Sequence, residues 1–356
     1  MGKIQRKIWG GIVLTLSAIV CSAYSQQQED TGRVSTPPAV PQQGQAAGGW
    51  VSPSNGAAVM QSNYQSLDGL MGDPWVIKDP GSPASYVMYY GAMRGDFSDP
   101  QVRLFRATSP DGLQWTRSAT PIVSPGPPGS WDATNVETPS VLKLPDGSYR
   151  LYYTGGKEPE TEVYQIGLAT SADGSNWQKA ADNPVLPLGP AGSFDAYSVF
   201  NPSALYKDGK YWMWYAGISS TLQVQIGLAL SADGKQWEKQ GVVLSLDRER
   251  VNPDDAGVTE PHVLWNGQAF EMWYAVLQHE GKVVGPIWHA VSADGKRWQK
   301  DPAPLLDLGE ANQWTGQGVA APSVLLEAGV YRLWYVGTHT DYESFLELGI
   351  GYMTGR

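Results

Sequence analysis

The chain has 356 residues, 42 % of them hydrophobic, with 15 Trp, 18 Tyr and a formal charge of −10 at pH 7. That apolar fraction suffices for a core, while the negative charge excludes the basic footprint nucleic acid requires and disfavours anionic membrane surfaces. An acidic, aromatic-rich chain is compatible with a neutral polar ligand such as a carbohydrate.

Lys3, Arg6 and Lys7 precede an apolar run from Ile8 to Val20 that is short for a membrane span, and Ala23-Tyr-Ser25 offers small residues for cleavage before Gln26. Residues 1–25 therefore read as a signal peptide, whose removal takes the formal charge from −10 to −13 through loss of those three cations. The expected location is secreted or periplasmic, with no membrane insertion once the signal is gone. Cys21, the single cysteine, offers the alternative of a lipoprotein anchor, although Val20 is bulkier than the residue such sites prefer. Without Cys21 the processed chain has no disulfide. Residues 26–48, rich in Pro, Gln and Gly and without apolar periodicity, read as a disordered linker.

From residue 49 onward one pattern recurs. Tyr86-Val-Met-Tyr-Tyr-Gly-Ala92, Tyr149-Arg-Leu-Tyr-Tyr-Thr-Gly155, Tyr211-Trp-Met-Trp-Tyr-Ala-Gly217, Phe270-Glu-Met-Trp-Tyr-Ala-Val276 and Tyr331-Arg-Leu-Trp-Tyr-Val-Gly337 are copies of one strand. Their anchoring tyrosines, Tyr90, Tyr153, Tyr215, Tyr274 and Tyr335, are 63, 62, 59 and 61 residues apart. A period of this size carried by aromatic and β-branched residues marks a repeat of one supersecondary unit. Ahead of each copy stands an apolar run around a proline: Gly72-Asp-Pro-Trp-Val76, Glu137-Thr-Pro-Ser-Val141, Phe200-Asn-Pro-Ser-Ala204, Thr259-Glu-Pro-His-Val263 and Ala320-Ala-Pro-Ser-Val324. Asp-Gly or Asn-Gly turns join several of these pairs. A third strand follows, such as Gln165 to Thr170, and ends in Ser-x-Asp-Gly-x-x-Trp at Ser109, Ser171, Ser231 and Ser292. That motif reads as a folding turn with a Trp that packs between neighbouring units. It is one residue shorter than the sialidase Asp box, and no arginine triad accompanies it. A fourth short strand is expected near Asn183 to Leu186.

Four strands repeated five times predict an all-β, five-bladed β-propeller over residues 49–356. The fifth unit stops after its third strand, so the N-terminal stretch from Trp50 to Met60 is expected to supply the missing strand and close the ring. Tight turns occupy one face. The longer, variable loops share the other face with the starts of the innermost strands, so the residues before each proline should ring one pocket.

Those residues are Asp73, Thr138, Asn201, Glu260 and Ala321, with Glu137 one position earlier in the second unit. Asp132 and Asp195 occupy the same repeat position in neighbouring units, which suggests loop capping. Asp73, Glu260 and Glu137 depart from their copies, which a purely architectural role explains less easily. Two carboxylates across a pocket can hydrolyse a glycosidic bond, one donating a proton to the leaving oxygen and the other activating water or attacking the sugar. His262, His279, His289 and His339 lack metal-ligand spacing; His279 and His339 fall by pocket-face loops and His289 in a strand. Arg94, Asp96, Glu158 and Asp341 also share the loop face. No cofactor is expected, and no motif supports a cation such as calcium on the axis.

With Asp-Pro in its first repeat and Glu-Pro-His in its fourth, the sequence resembles glycoside hydrolase family 43 and the related family 32. The resemblance covers the whole repeat region, but only these two short motifs touch the chemistry. It implies a secreted five-bladed propeller acting on arabinan, xylan or fructan, with Asp73 as general base and Glu260 as general acid. Glu260 lacks the glycine the family places before its proline. Asn201 stands where the family has an Asp that tunes the acid, and Asp195 or Glu137 could take that part. Substrate contacts are expected from Asn201, Trp75, Arg94, His262, His279 and His339. The expected partner is a carbohydrate bound by a monomer. The alternative is a non-catalytic carbohydrate- or protein-binding propeller with a degenerate site, which Asn201 and the missing Gly favour.

Overall fold

The computed structural model describes residues 49–54, 56–61, 66–79, 85–94, 99, 101–157, 163–246, 257–277, 285–307, 315–316, 318–338 and 348–356. Residues 1–48, with the expected signal, Cys21 and linker, lie outside them. The described residues form twenty strands and no helix.

They assemble as five blades. The innermost strands are Leu70–Lys78, Asn135–Lys143, Ser198–Lys207, Gly257–Trp265 and Gly318–Glu327. The aromatic copies form the second strands, Tyr86–Met93, Tyr149–Gly156, Lys210–Ile218, Phe270–Leu277 and Val330–Thr338. Arg103–Ser109, Tyr164–Ser171, Val224–Ser231, Ile287–Ser292 and Leu348–Gly355 come third. All these pairings are antiparallel. The outermost strand is short: Thr116–Arg117, Gln178–Lys179 and Gln299–Lys300, with a longer Glu238–Leu244 in blade 3. In blade 2 it begins directly after the packing Trp177, and the expected Asn183–Leu186 segment adds only one bridge, Leu186 to Ile166.

The N-terminal segment completes blade 5. Met60 and Gln61 pair with Ile350 and Gly349, and Val51 bridges Thr354. Each innermost strand packs on the next around the ring, the fifth on the first. The closing junction carries the Val76 N–H donated to Ser323 Oγ at 2.8 Å and the Lys78–Glu327 ion pair.

The Ser-x-Asp-Gly-x-x-Trp turns knit the blades together. In each, the Asp carboxylate accepts two main-chain N–H groups, as Asp111 does from Leu113 and Gln114 at 2.8 and 2.9 Å. The turn glycine then presents its carbonyl to the preceding blade. Tyr89 donates to Gly174, Tyr152 to Gly234, Trp214 to Gly295 and Trp334 to Gly112, all at 2.8 or 2.9 Å. The motif tryptophans meet those same rings edge-on, as Trp177 meets Tyr89 and Trp298 meets Trp214. The aromatic load of the sequence is therefore spent between blades, where large rings bury most area per residue.

Candidate active site

The residue before each proline has a left-handed backbone: φ is 52° at Asp73, 48° at Thr138, 50° at Asn201, 54° at Glu260 and 47° at Ala321. Non-glycine residues rarely adopt it, at a cost of roughly 1–2 kcal/mol each. The ladders explain why it recurs. In every blade the register shifts by one residue, from Gly72/Trp75 in the first to Ala320/Ser323 in the fifth, so the X-Pro pair bulges opposite one residue of the second strand. That residue is the anchoring tyrosine, and the proline sits where no ladder donor is needed. The bulge recurs at the equivalent place in all five innermost strands.

Two residues further on, each blade makes one bond to the next. Ser140 Oγ accepts from Ala204 N at 2.9 Å, and Ser203 Oγ from Val263 N at 2.8 Å. Trp75 Nε1 donates to the Val141 carbonyl at 3.0 Å, and His262 Nε2 meets the Val324 carbonyl at 2.9 Å. With Ser323 to Val76 the circuit is complete. Blades 1 and 4 carry rings at this level, and Trp75 and His262 touch with centroids 4.4 Å apart. Burial pushes the His262 imidazole down to about 4, so it is neutral near pH 7. These two rings thus pack near the axis and bring blades 1 and 4 into contact.

In the ring of bulges, Asp73 and Glu260 are both buried. Burial lifts the Asp73 carboxyl to about 7, opposed by a hydrogen bond from the Thr138 main chain. Asp73 Oδ2 has no partner among the described residues. Gly91 makes room for it, since a Cβ there would lie 3.2 Å from Oδ2. Glu260 rises to about 8, through burial first and the negative charge of Asp73 second, while the Ala321 N–H works the other way. That N–H reaches Glu260 Oε2 at 2.6 Å, so the proton of the neutral acid belongs on Oε1.

Between them the ring is polar. Thr138 and Thr154 hydroxyls meet at 2.5 Å, Thr154 Oγ1 accepts the Asn201 N–H at 3.0 Å, and Asn201 Nδ2 donates to Thr259 Oγ1 at 3.2 Å. Asn201 Oδ1 is buried without a partner among the described residues. Glu137 is fully buried, and its Cβ lies 3.6 Å from where a Gly91 Cβ would stand, beside Asp73.

Asp195 is built into something else. Its carboxylate accepts from Tyr215 Oη at 2.9 Å, Ser193 Oγ at 2.7 Å and Lys239 Nζ at 2.6 Å, all within blade 3. Burial opposes ionisation, but Lys239 and Ser193 outweigh it and hold the pKa below the usual carboxylate value. Asp132 repeats the arrangement with Tyr153 and Lys179, and Asp68 with Tyr90 and Arg117. Each anchoring tyrosine of the first three blades is thereby tied to a buried carboxylate and a cation.

Arg94 directly follows the second strand of blade 1 and is half-buried. His289 lies in a third strand between Glu271 and Asp301. His279, His339, Asp96, Glu158 and Asp341 lie outside the described residues, and no group of three or more His, Cys, Asp or Glu that could hold a metal occurs among those described. Gly91, Thr154 and Thr259 are the site residues that motif reading overlooked. The signal for Gly91 was present: the residue after the anchoring tyrosine is glycine only in blade 1.

The family model described as "Glycosyl hydrolases family 32 N-terminal domain" matches residues 63–245 and 187–316. An uncharacterised Mycobacterium tuberculosis protein is 27 % identical over 233 residues, covering 62 % of this chain and 72 % of that protein. The 1,2-beta-oligomannan phosphorylase of a Thermoanaerobacter species is 26 % identical over 227 residues, covering 61 % and 70 %. Among solved structures, a thermostable family-43 glycoside hydrolase superposes with a TM-score of 0.61 at 18 % identity, covering 80 % of this chain and 88 % of that one. At that identity the likeness concerns the fold alone.

Proposed function

We propose, from the premise that this chain belongs to the glycosyl hydrolase family 32 N-terminal domain family, that it hydrolyses glycosidic bonds in an oligo- or polysaccharide of the arabinan, xylan or fructan class. One observation carries the reading. Asp73 and Glu260 occupy the same left-handed bulge in blades 1 and 4, with carboxyls raised to about 7 and about 8. Near neutral pH one can be ionised while the other keeps its proton, the division that glycoside hydrolysis requires.

Glu260, its Oε2 held by the Ala321 N–H, donates the Oε1 proton to the leaving glycosidic oxygen. Asp73 uses Oδ2, which has no protein partner among the described residues, to draw a proton from water or to attack the anomeric carbon. A carboxyl separation of about 6.5–9.5 Å in the complex gives inversion, and about 5 Å gives retention. Glu137 supports the site as a third buried carboxylate beside Asp73. The leader-like residues 1–25 support export of the enzyme, which works as a monomer without a cofactor.

The test is release of reducing sugar by residues 26–356 from arabinan, xylan, fructan and aryl glycosides, beside Asp73→Asn and Glu260→Gln. Loss of activity in both variants is expected; activity surviving both would sink the assignment. The second reading, carbohydrate binding without catalysis, draws on Asn201, a neutral amide in the ring. Folded wild type that binds a sugar and releases none would favour it.

A further inference from the structure

Blade 5 is the bare side of the ring. At the bulge, at the residue before it and at the facing residue of the second strand, blade 2 carries Thr138, Glu137 and Thr154. Blade 5 carries Ala321, Ala320 and Val336 at those places. Blade 5 also stands between the blades that bear the two carboxylates, since the ring runs from 4 through 5 to 1. Glu260 reaches onto it, through the Ala321 N–H at 2.6 Å. Below the bulges, Trp75 of blade 1 and His262 of blade 4 meet at 4.4 Å while Ser323 of blade 5 ties to Val76. The way from acid to base thus crosses a surface of two alanines and a valine, in an apolar cluster that draws on all five blades.

We propose that Ala321, with Ala320 and Val336, is the wall against which the glycosyl ring under cleavage lies, and that Ala321 determines which rings enter. This deepens the glycosidase reading and rests on it. A wall without donors or acceptors offers a sugar only dispersion and exclusion of water. It selects a ring whose face toward blade 5 carries C–H groups, and it penalises a hydroxyl or acylamino group there, which would be buried unpaired. The hydroxyls of the opposite face meet Asn201 Oδ1 of blade 3, a buried acceptor without a partner among the described residues. Ala321 acts by space rather than chemistry. Any larger residue in its place would project into the gap between acid and base.

The fold itself supplies variants for the test. Asn201 has φ of 50° and Thr138 has φ of 48° at the equivalent bulges, so Ala321→Asn and Ala321→Thr place side chains this backbone already carries. Hydrolysis of aryl α-arabinofuranoside, β-xyloside, β-mannoside and sucrose would be compared across wild type and both variants, with thermal melting as the fold control. On the substrate that wild type cleaves, each variant is expected to lose at least about tenfold in kcat/KM, carried mainly by KM. The limbs of the pH profile should stay in place, because the main-chain N–H of residue 321 still holds Glu260. A merely structural role for Ala321 would not divide KM from the pH profile in this way. An unchanged KM in a folded variant overturns the wall and leaves the glycosidase reading standing. If wild type cleaves nothing, that reading fails separately, and calorimetric binding of arabinose, xylose, mannose and fructose decides. A sugar bound by wild type and lost in both variants supports the wall; equal binding, or none by wild type, overturns it.

Discussion

Asp73 and Glu260 are held in the same way: each sits on a left-handed X-Pro bulge, and each carboxyl takes the main-chain N–H of the equivalent bulge in the next blade, Thr138 or Ala321. Their pKa values are raised to about 7 and about 8, and the charge of Asp73 contributes to the second. The proposed mechanism requires Asp73 ionised and Glu260 protonated. A plot of kcat/KM against pH should therefore be a narrow bell centred near 7.5, whose limbs belong to the pair. Asp73→Asn and Glu260→Gln should each lower kcat by at least ~10²-fold. A broad acidic optimum near pH 5 would mean that other groups carry the protons.

The same burial implies a stability cost. Both folded pKa values exceed the ordinary 3.8 and 4.5, so the folded state holds extra protons between about pH 4 and 8. Stability must fall as pH rises through that window. Asp73→Asn removes its share of the loss, on the order of a few kcal/mol at full ionisation. Its melting temperature should exceed that of wild type by several degrees at pH 9, and the gap should close below pH 4. A variant less stable than wild type at pH 9 would show that the Asp73 carboxylate is better satisfied than its surroundings indicate.

Asp195 gives the opposite result. Its partners are Tyr215, Ser193 and Lys239, and it is ionised in the fold. Asp195→Asn should cost about 2 kcal/mol of stability by removing the negative charge that Lys239 pairs with and one of the two acceptor oxygens shared by Tyr215, Lys239 and Ser193. Turnover per folded molecule should hold within about threefold, far short of a lost acid or base. A thousandfold fall at full folding would return Asp195 to the catalytic set.

The repeat, its blade count and its N-terminal closure were legible because aromatic strands at a period near 61 residues leave few alternatives. The X-Pro runs and the anchoring tyrosines could be read only as separate motifs. Their union as a bulge opposite a tyrosine depends on a register shift that no local pattern encodes. Asp132 and Asp195 were legible as a repeated pair. Their cations were not, because Lys179 and Lys239 come from the fourth strand, 47 and 44 residues away. Trp75 and His262 read from sequence as substrate contacts. What sequence could not show is the inter-blade circuit at their level, where their ring nitrogens bond to the Val141 and Val324 carbonyls.

His289 provides a pH test remote from the axis. Burial works against its charging, yet Glu271 and Asp301 outweigh it, and its pKa is raised above 6.5. A group bound more tightly to its proton when folded contributes stability in full below the unfolded value and loses it as pH rises through the folded one. Tyr331 of blade 5 donates to the same Glu271 at 2.8 Å, so the contribution lies at a blade junction. His289→Gln should cost about 1 kcal/mol at pH 5.5 and much less at pH 9, read from denaturant midpoints. An equal loss at both pH values would reduce the effect to packing against Trp273, 4.9 Å away.

Asn201 is the last and most specific test of how the ring sets proton affinity. Its Nδ2 donates to Thr259 Oγ1 beside Glu260, and its Oδ1 is buried without a partner among the described residues. Asn201→Asp keeps shape and φ, and the Thr259 hydroxyl can turn from acceptor to donor. The change adds a fourth buried carboxyl, after Asp73, Glu137 and Glu260, to a ring where like charge already raises Glu260. When that carboxyl ionises, the proton on Glu260 must bind more tightly still, so the alkaline limb of kcat/KM should move upward by about one unit. A limb that stays in place in Asn201→Asp would mean that the new carboxyl remains neutral and that burial and Asp73 alone govern the acid.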